Sequence, residues 1–326
     1  MNRKVNKSLA LFVLAIILFG CKGENENKAD SVNGLGAFMG MIKTSTPKLL
    51  NPDLIASPLD EYNGTFSPDG DEFYFTTYSP GLGIISYTEM DESGNWSQPR
   101  VAEFSGEYSE YDPLFSPDGN RLYFSSERPI SSGAEEGKTN IWYIERTDSS
   151  WSAPNLVWLD SRSTYYSSMT SNGLMYFNIW DTGDMYKAIP NKNEHDVVLL
   201  DSLLNTSNGE GDPFISPDES YLIYRGYNNS LGRGDLYISF NIDGEWTAPE
   251  NLGAPINSDA HEMCPYVTTD GDFFIFASAR MSREFESSSG AGLAEVREKF
   301  NSYDNGQLNI FYMSADFIDE MRKKYQ

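Results

Sequence analysis

The sequence predicts an all-β chain folded as a single β-propeller of about five four-stranded blades, and three observations carry that expectation. A strand–turn–strand unit recurs five times at a spacing near 50 residues, two further strand-like runs follow most copies, and the start of the globular region supplies the strand that the last copy lacks. A repeat period of roughly 20–50 residues marks architectures in which one supersecondary unit stacks on its own copies.

The copies are "EYNGTFSPDGDEFYFTT" from Glu61, "EYDPLFSPDGNRLYFSS" from Glu110, "TYYSSMTSNGLMYFNIW" from Thr164, "EGDPFISPDESYLIYRG" from Glu210 and "EMCPYVTTDGDFFIFAS" from Glu262. Their turn residues Asp69, Asp118, Asn172, Asp218 and Asp270 are separated by 49, 54, 46 and 52 positions. In "SPDG" the proline presets φ, the aspartate and serine bond the local backbone, and the glycine accepts the left-handed exit, so the unit reads as two strands joined by a tight turn. The aromatic and aliphatic run after each turn has the composition of a buried strand.

A third strand follows as "TNIWYIE", "GDMYKA", "GDLYISF" and "LNIFYMS", and a fourth opens at "NWSQP", "SWSAPNL" and "EWTAPENL", carrying Trp96, Trp151 and Trp246. Four antiparallel strands in 40–50 residues make a propeller blade. Tryptophan repeated at one blade position points to packing between blades before it points to a carbohydrate-stacking platform. The third copy has "TSNG" for "SPDG" and "HDVVLLDSLLN" where the tryptophan strand should stand, yet it keeps the blade spacing.

The last copy stops after its third strand, while "TPKLLNPDLIASPLDEYNG" near the start matches the spacing of "APENLGAPINSDAHEMCP" before the last turn. The N-terminal strand therefore completes the last blade and leaves no open edge. That closure predicts five blades, with six as the alternative.

These units resemble the TolB-type, WD-like propeller repeats over Pro47 to Ala315. The resemblance implies the fold; such propellers host binding, scaffolding and a few enzymes, so the function must be argued from a site.

Ahead of the propeller, Arg3, Lys4 and Lys7 precede the apolar run Leu9 to Phe19 and then Gly20 and Cys21. This is the layout of a signal peptide, and the run is too short to span a bilayer. The string "LFGC" resembles a bacterial lipobox, which implies that Cys21 is lipidated, with residues 1–20 removed. Residues 21–46 read as a flexible tether and 47–326 as the propeller with a short C-terminal helix. The expected location is membrane-anchored, at the outer membrane, facing the periplasm or the exterior.

With Cys21 acylated, Cys264 stands alone and no intramolecular disulfide forms; its context is that of a small core residue. The formal net charge of −24 excludes nucleic acid as a partner and stands the body off an anionic membrane, so that membrane contact runs through the lipid only.

Candidate site residues follow from the repeat. Glu61, Glu110, Glu210 and Glu262 share one position at the entry to the innermost strands, and Asp112 and Asp212 lie two residues on. They form either a carboxylate ring at the channel mouth, fit for a cation or a basic peptide end, or a set of caps paired between blades with Arg128, Arg280 and the nearby Arg225. Tyr165, beside Tyr166, and His261 break the repeat at the same mouth.

Catalytic motifs are sparse. "GAEEGKT" from Gly133 has three residues between its glycines where a phosphate loop needs four, "HEMC" at His261 lacks the second histidine of a zinc helix, and no "GxSxG" occurs. Only His195 and His261 are present, which disfavours a histidine metal cluster. The insertion Met281 to Gln307 contains "LAEVREKF", a short helix expected to cover a face or meet a partner.

The expectation is a non-catalytic, lipid-anchored binding or scaffold propeller of the cell envelope, monomeric, contacting a protein or a glycan. The alternative is a glycoside hydrolase or lyase with carboxylates at the channel mouth. No cofactor is expected, with structural Ca²⁺ among acidic loops as a third reading.

Overall fold

A computed structural model of the protein describes residues 34–131, 137–148, 150–157, 162–190, 195–281, 290 and 292–326. The signal segment, Cys21 and "GAEEGKT" up to Glu136 lie outside the described residues.

Five antiparallel sheets form the ring. Blade one comprises Asp60–Phe66, Glu72–Ser79, Leu82–Glu89 and Arg100–Val101, and blade two Glu110–Phe115, Arg121–Ser126, Asn140–Glu145 and Asn155–Leu156. Blade three comprises Thr164–Met169, Met175–Ile179, Asp184–Pro190 and His195–Leu199, so the divergent third copy is a blade whose outer strand needs no tryptophan. Blade four comprises Glu210–Ile215, Tyr221–Gly226, Asp235–Ile242 and Glu250–Asn251, with Glu245–Trp246 extending its tip. Blade five takes Glu262–Val267, Phe273–Ser278 and Asn309–Ser314 from the end of the chain and Lys48–Leu49 from its start. Lys48 pairs with Tyr312 and Leu49 with Phe311, which is the predicted closing strand.

Up-and-down order sorts the loops. The connectors between blades, and the loops between second and third strands, open on one face, termed the connector face. The "SPDG" turns open on the other, the turn face.

The core lies between blades, because each sheet buries both sides. Tyr74 and Ile85 of blade one pack with Phe115, Phe124 and Trp142 of blade two, and Tyr176 and Met185 of blade three pack with Leu222 and Tyr224 of blade four. Trp96 is fully buried, whereas Trp151 and Trp246 are partly exposed.

The chain ends fill two of the junctions. The expected tether does not stand free over its described part, residues 34–46. Its apolar residues Leu35, Phe38, Met39 and Met41 join the core around Trp96. There the Gly36 N–H donates to Gly94 O at 3.2 Å and the Phe38 N–H to Gly70 O at 2.7 Å. A glycine-rich stretch that carries four large apolar side chains has more to gain from burial than from swinging in solvent.

At the other end, the helix Asp316–Arg322 and the turn after it seal the junction of blades four and five. Phe317 packs on Phe274 at 5.2 Å, Tyr325 on Phe240 at 5.6 Å, and Arg322 Nη2 donates to Ser220 Oγ at 2.9 Å. The insertion forms the expected helix, Leu293–Phe300, with no buried residue. No helix among the described residues is long and apolar enough to cross a membrane.

Candidate functional site

The four repeat glutamates are buried, at 0–4% exposure. Each accepts hydrogen bonds from a serine or threonine and a main-chain N–H in the connector just before it. Ser57 serves Glu61, Ser105 and Gly106 serve Glu110, Thr206 serves Glu210, and Ser258 serves Glu262. The glutamates thus fasten the inter-blade connectors to the innermost strands.

Arg128 and Arg280 complete two of these clamps from within the same blade, correcting the expected blade-to-blade pairing. Arg128 Nη2 lies 3.0 Å from Glu110 Oε1 and also donates to Phe104 O at 2.9 Å. Arg280 Nη2 lies 3.2 Å from Glu262 Oε1, and its Nη1 donates to Pro255 O at 2.9 Å. The second strand runs antiparallel beside the first, so an arginine two residues past the partner of the glutamate curls back over it. Blades one and four have Ser79 and Asn228 at this place. Without an arginine, burial pushes the Glu61 carboxyl up to about 7, and it raises Glu210 as well.

Two residues into each innermost strand the ladder slips by a β-bulge, at Asn63, Asp112, Tyr166, Asp212 and Cys264. All five have left-handed backbone, with φ between 48° and 58°. Asparagine and aspartate tolerate that conformation; tyrosine and cysteine occupy it only where the surroundings over-determine it. Neighbouring blades supply the constraint. The Asp112 N–H donates to Thr76 Oγ1 at 3.0 Å, that of Tyr166 to Ser125 Oγ at 3.0 Å, and that of Asp212 to Asn178 Oδ1 at 2.8 Å, each acceptor lying in the preceding blade.

These residues fill the ring axis. Tyr166 is 3% exposed and its hydroxyl reaches across from blade three to donate to Pro265 O of blade five at 3.0 Å. Cys264 is buried beside it, as its sequence context implied, and burial raises its thiol far above the ordinary range. Asp112 accepts from Asn63 Nδ2 at 3.2 Å and Ser125 Oγ at 3.0 Å. Burial, then the charge of Asp212, push its carboxyl up to about 7.

The repeat breaks where blade four meets this axis. Arg225 pairs in register with Gly211, as Ser125 does with Tyr111, Asn178 with Tyr165 and Ala277 with Met263. It is therefore not the counterpart of Arg128 and Arg280, as proximity in sequence implied, but a cation in an axial row of small and neutral side chains. Its Nε donates to Asp212 Oδ2 at 2.8 Å, its Nη1 to the Tyr227 hydroxyl, and its guanidinium lies 5.2 Å from the Tyr227 ring centre.

Tyr165 and His261 join Arg225 at this mouth. The Tyr165 hydroxyl and Arg225 Nη2 both border the space that a Cβ on Gly211 would take. Burial, then the charge of Arg225, hold the His261 imidazole below its ordinary pKa. Trp180, in the loop after the second strand of blade three, stands edge-on to Tyr165 at 5.5 Å and is 73% exposed. Trp180 and Tyr227 were not among the sequence candidates, and Arg225 was grouped there with Arg128 and Arg280. The signal for the role of Arg225 was present as a departure from the repeat, glycine for tyrosine at 211 and arginine for a small residue at 225.

Among the described residues no three histidine, cysteine, aspartate or glutamate side chains gather as a metal site. The arrangement offers a closed axis and, above it on the connector face, an aromatic shelf beside a buried ion pair.

No family model matches the chain, and no curated protein matches it. Solved structures that resemble it in part include TolB from Acinetobacter baumannii, at 22% identity and TM-score 0.42, covering 62% of this chain and 45% of that one. They also include an endo-arabinase from Bacteroides thetaiotaomicron, at 15% identity and TM-score 0.45, covering 69% and 91%, and an α-L-arabinofuranosidase from Lactobacillus brevis, at 10% identity and TM-score 0.46, covering 80% and 93%. The chain spans less than half the length of that TolB. The assignment of a five-bladed propeller rests on the chain's own five sheets.

Proposed function

We propose that this protein is a non-catalytic binding propeller of the cell envelope, held to the membrane by lipid on Cys21, and that it meets a partner protein through the mouth around Arg225. The observation that carries the reading is Trp180, exposed at the rim against Tyr165 with Arg225 and Tyr227 beside it. Tryptophan, tyrosine and arginine are the residues on which interface energy concentrates. In support, the repeat carboxylates are engaged in clamps inside the blades, leaving the mouth to its aromatic residues. The test is a photo-crosslinking residue placed at the exposed Thr182, on the loop that carries Trp180, in the full-length chain in cells. Recovery of one envelope protein, lost on Arg225→Ala, supports the reading; labelling no different from that of a probe at Leu203 on another loop refutes it.

A second reading has one observation in its favour. Burial pushes the Asp112 carboxyl up to about 7 while Asp212 pairs with Arg225, and glycoside hydrolysis uses two carboxyl groups in unlike surroundings. It requires Tyr165 and Arg225 to move aside, and it predicts polysaccharide cleavage that Asp112→Asn abolishes.

A further inference from the structure

The junction of blades one and two repeats that of blades five and one almost feature for feature. Phe66 meets Trp96 with ring centres 6.2 Å apart, and Phe115 meets Trp151 at the same 6.2 Å. Gly70 and Gly119 share φ 71°. Gly70 O accepts the Phe38 N–H at 2.7 Å, while Gly119 O accepts Arg146 Nε at 3.0 Å.

The two junctions differ in what fills them. At the first, residues 35–41 lie in the cleft, Gly36 O accepts the Trp96 indole N–H at 2.9 Å, and Trp96 is fully buried. At the second no segment of the described chain enters, and the Trp151 indole N–H donates to the Tyr74 hydroxyl at 3.1 Å instead. A cavity of about 700 Å³ remains, walled by Tyr87, Phe104 and the partly exposed Trp151. Glu72, Glu89, Glu103 and Asp148 edge it, against Arg146, which pairs with Glu72 Oε1 at 2.8 Å, and Arg100, which pairs with Glu89. Glu72 Oε2 is buried and has no hydrogen-bond partner, a costly state for a carboxylate oxygen. Burial raises the Glu72 carboxyl accordingly.

We propose that the cleft between blades one and two is a docking groove for an extended peptide segment of a partner protein, carrying a large apolar side chain near a lysine or arginine. The peptide follows from the equivalent junction, which is filled by a stretch of chain through main-chain hydrogen bonds and the Phe38 and Met39 side chains. The basic residue follows from charge, since four carboxylates face two arginines that are already engaged, and one of the carboxylate oxygens is unsatisfied. The groove lies between blades one and two, neither of which adjoins blade four and its Arg225, and is separate from the mouth.

The test uses the full chain and two synthetic peptides built on residues 34–40, KGLGAFMGK and EGLGAFMGE, measured by calorimetry and by tryptophan fluorescence. The lysine peptide should bind saturably, and the glutamate peptide about tenfold more weakly or not at all. Glu103→Lys, at an exposed position, should weaken the lysine peptide about tenfold with no change in thermal midpoint, and Trp180→Ala should leave it unaltered. No binding of the lysine peptide, equal binding of both, indifference to Glu103→Lys, or loss on Trp180→Ala would each overturn the proposal.

Discussion

Gly211 and Arg225 face each other across two paired strands, and a Cβ on Gly211 would lie 2.4 Å from Arg225 Nη2. The missing side chain is what lets the guanidinium lie over the axis and meet Asp212. Gly211→Ala should therefore force Arg225 off its carboxylate and destabilise the fold by about 1–3 kcal/mol, as overpacking does. Urea unfolding of the two proteins checks it, and Gly211→Ala combined with Arg225→Ser should recover part of the loss.

Asp112 and Glu61 both titrate near 7 in the folded chain, against ordinary values of 3.8 and 4.5. Between those limits the folded state holds protons that the unfolded state has released. Their contribution to stability is thus fully present below about pH 4 and lost as pH rises through 7. Asp112→Asn should remove that dependence at its site and raise stability at pH 8, by an amount on the order of 2 kcal/mol, with little gain at pH 4. Denaturation midpoints at the two pH values decide it, and an equal gain at both would contradict the assignment.

Arg128 neutralises a glutamate that is wholly buried. Removing it in Arg128→Ala strands that charge and should cost about 3–5 kcal/mol. The double change Arg128→Ala with Glu110→Gln should cost less than Arg128→Ala alone, measured by chemical denaturation.

Met39 is 4% exposed in the junction of blades five and one. Met39→Ala should destabilise by about 2–4 kcal/mol, a loss that a free tether would not produce. The thermal midpoint of the purified chain reports it.

Trp180 has the opposite profile. Being largely exposed, Trp180→Ala should change stability by no more than about 0.5 kcal/mol while abolishing crosslinking at the mouth. Cys21→Ala should release the protein from the membrane fraction without altering its melting.

The fold was legible because each blade is a local unit that states its own turn, its strands and its tryptophan, so five imperfect copies reinforce one reading. Even the split last blade could be inferred, since the match of the N-terminal segment to the connectors is a matter of spacing. The glutamates were legible as a set, yet their role was not. A carboxylate four residues after a serine reads equally as a channel ring or as a clamp, and burial distinguishes them. The register of Arg225 is written in the spacing, seven residues after Asp218 as Ser125 follows Asp118 and Ala277 follows Asp270, but what it meets at the axis is not.

By itself the sequence determined the blade repeat, its order and the closing strand, with five blades favoured over six, because short-range turn chemistry and a period near 50 residues leave few other ways to bury the aromatic runs. Tertiary structure alone decided what lies at the axis and in the junctions. Tyr166 reaching Pro265, Arg225 settling over Gly211, and residues 35–41 covering Trp96 all join positions far apart along the chain. Such contacts depend on the space left between rigid blades, and no local pattern encodes that space.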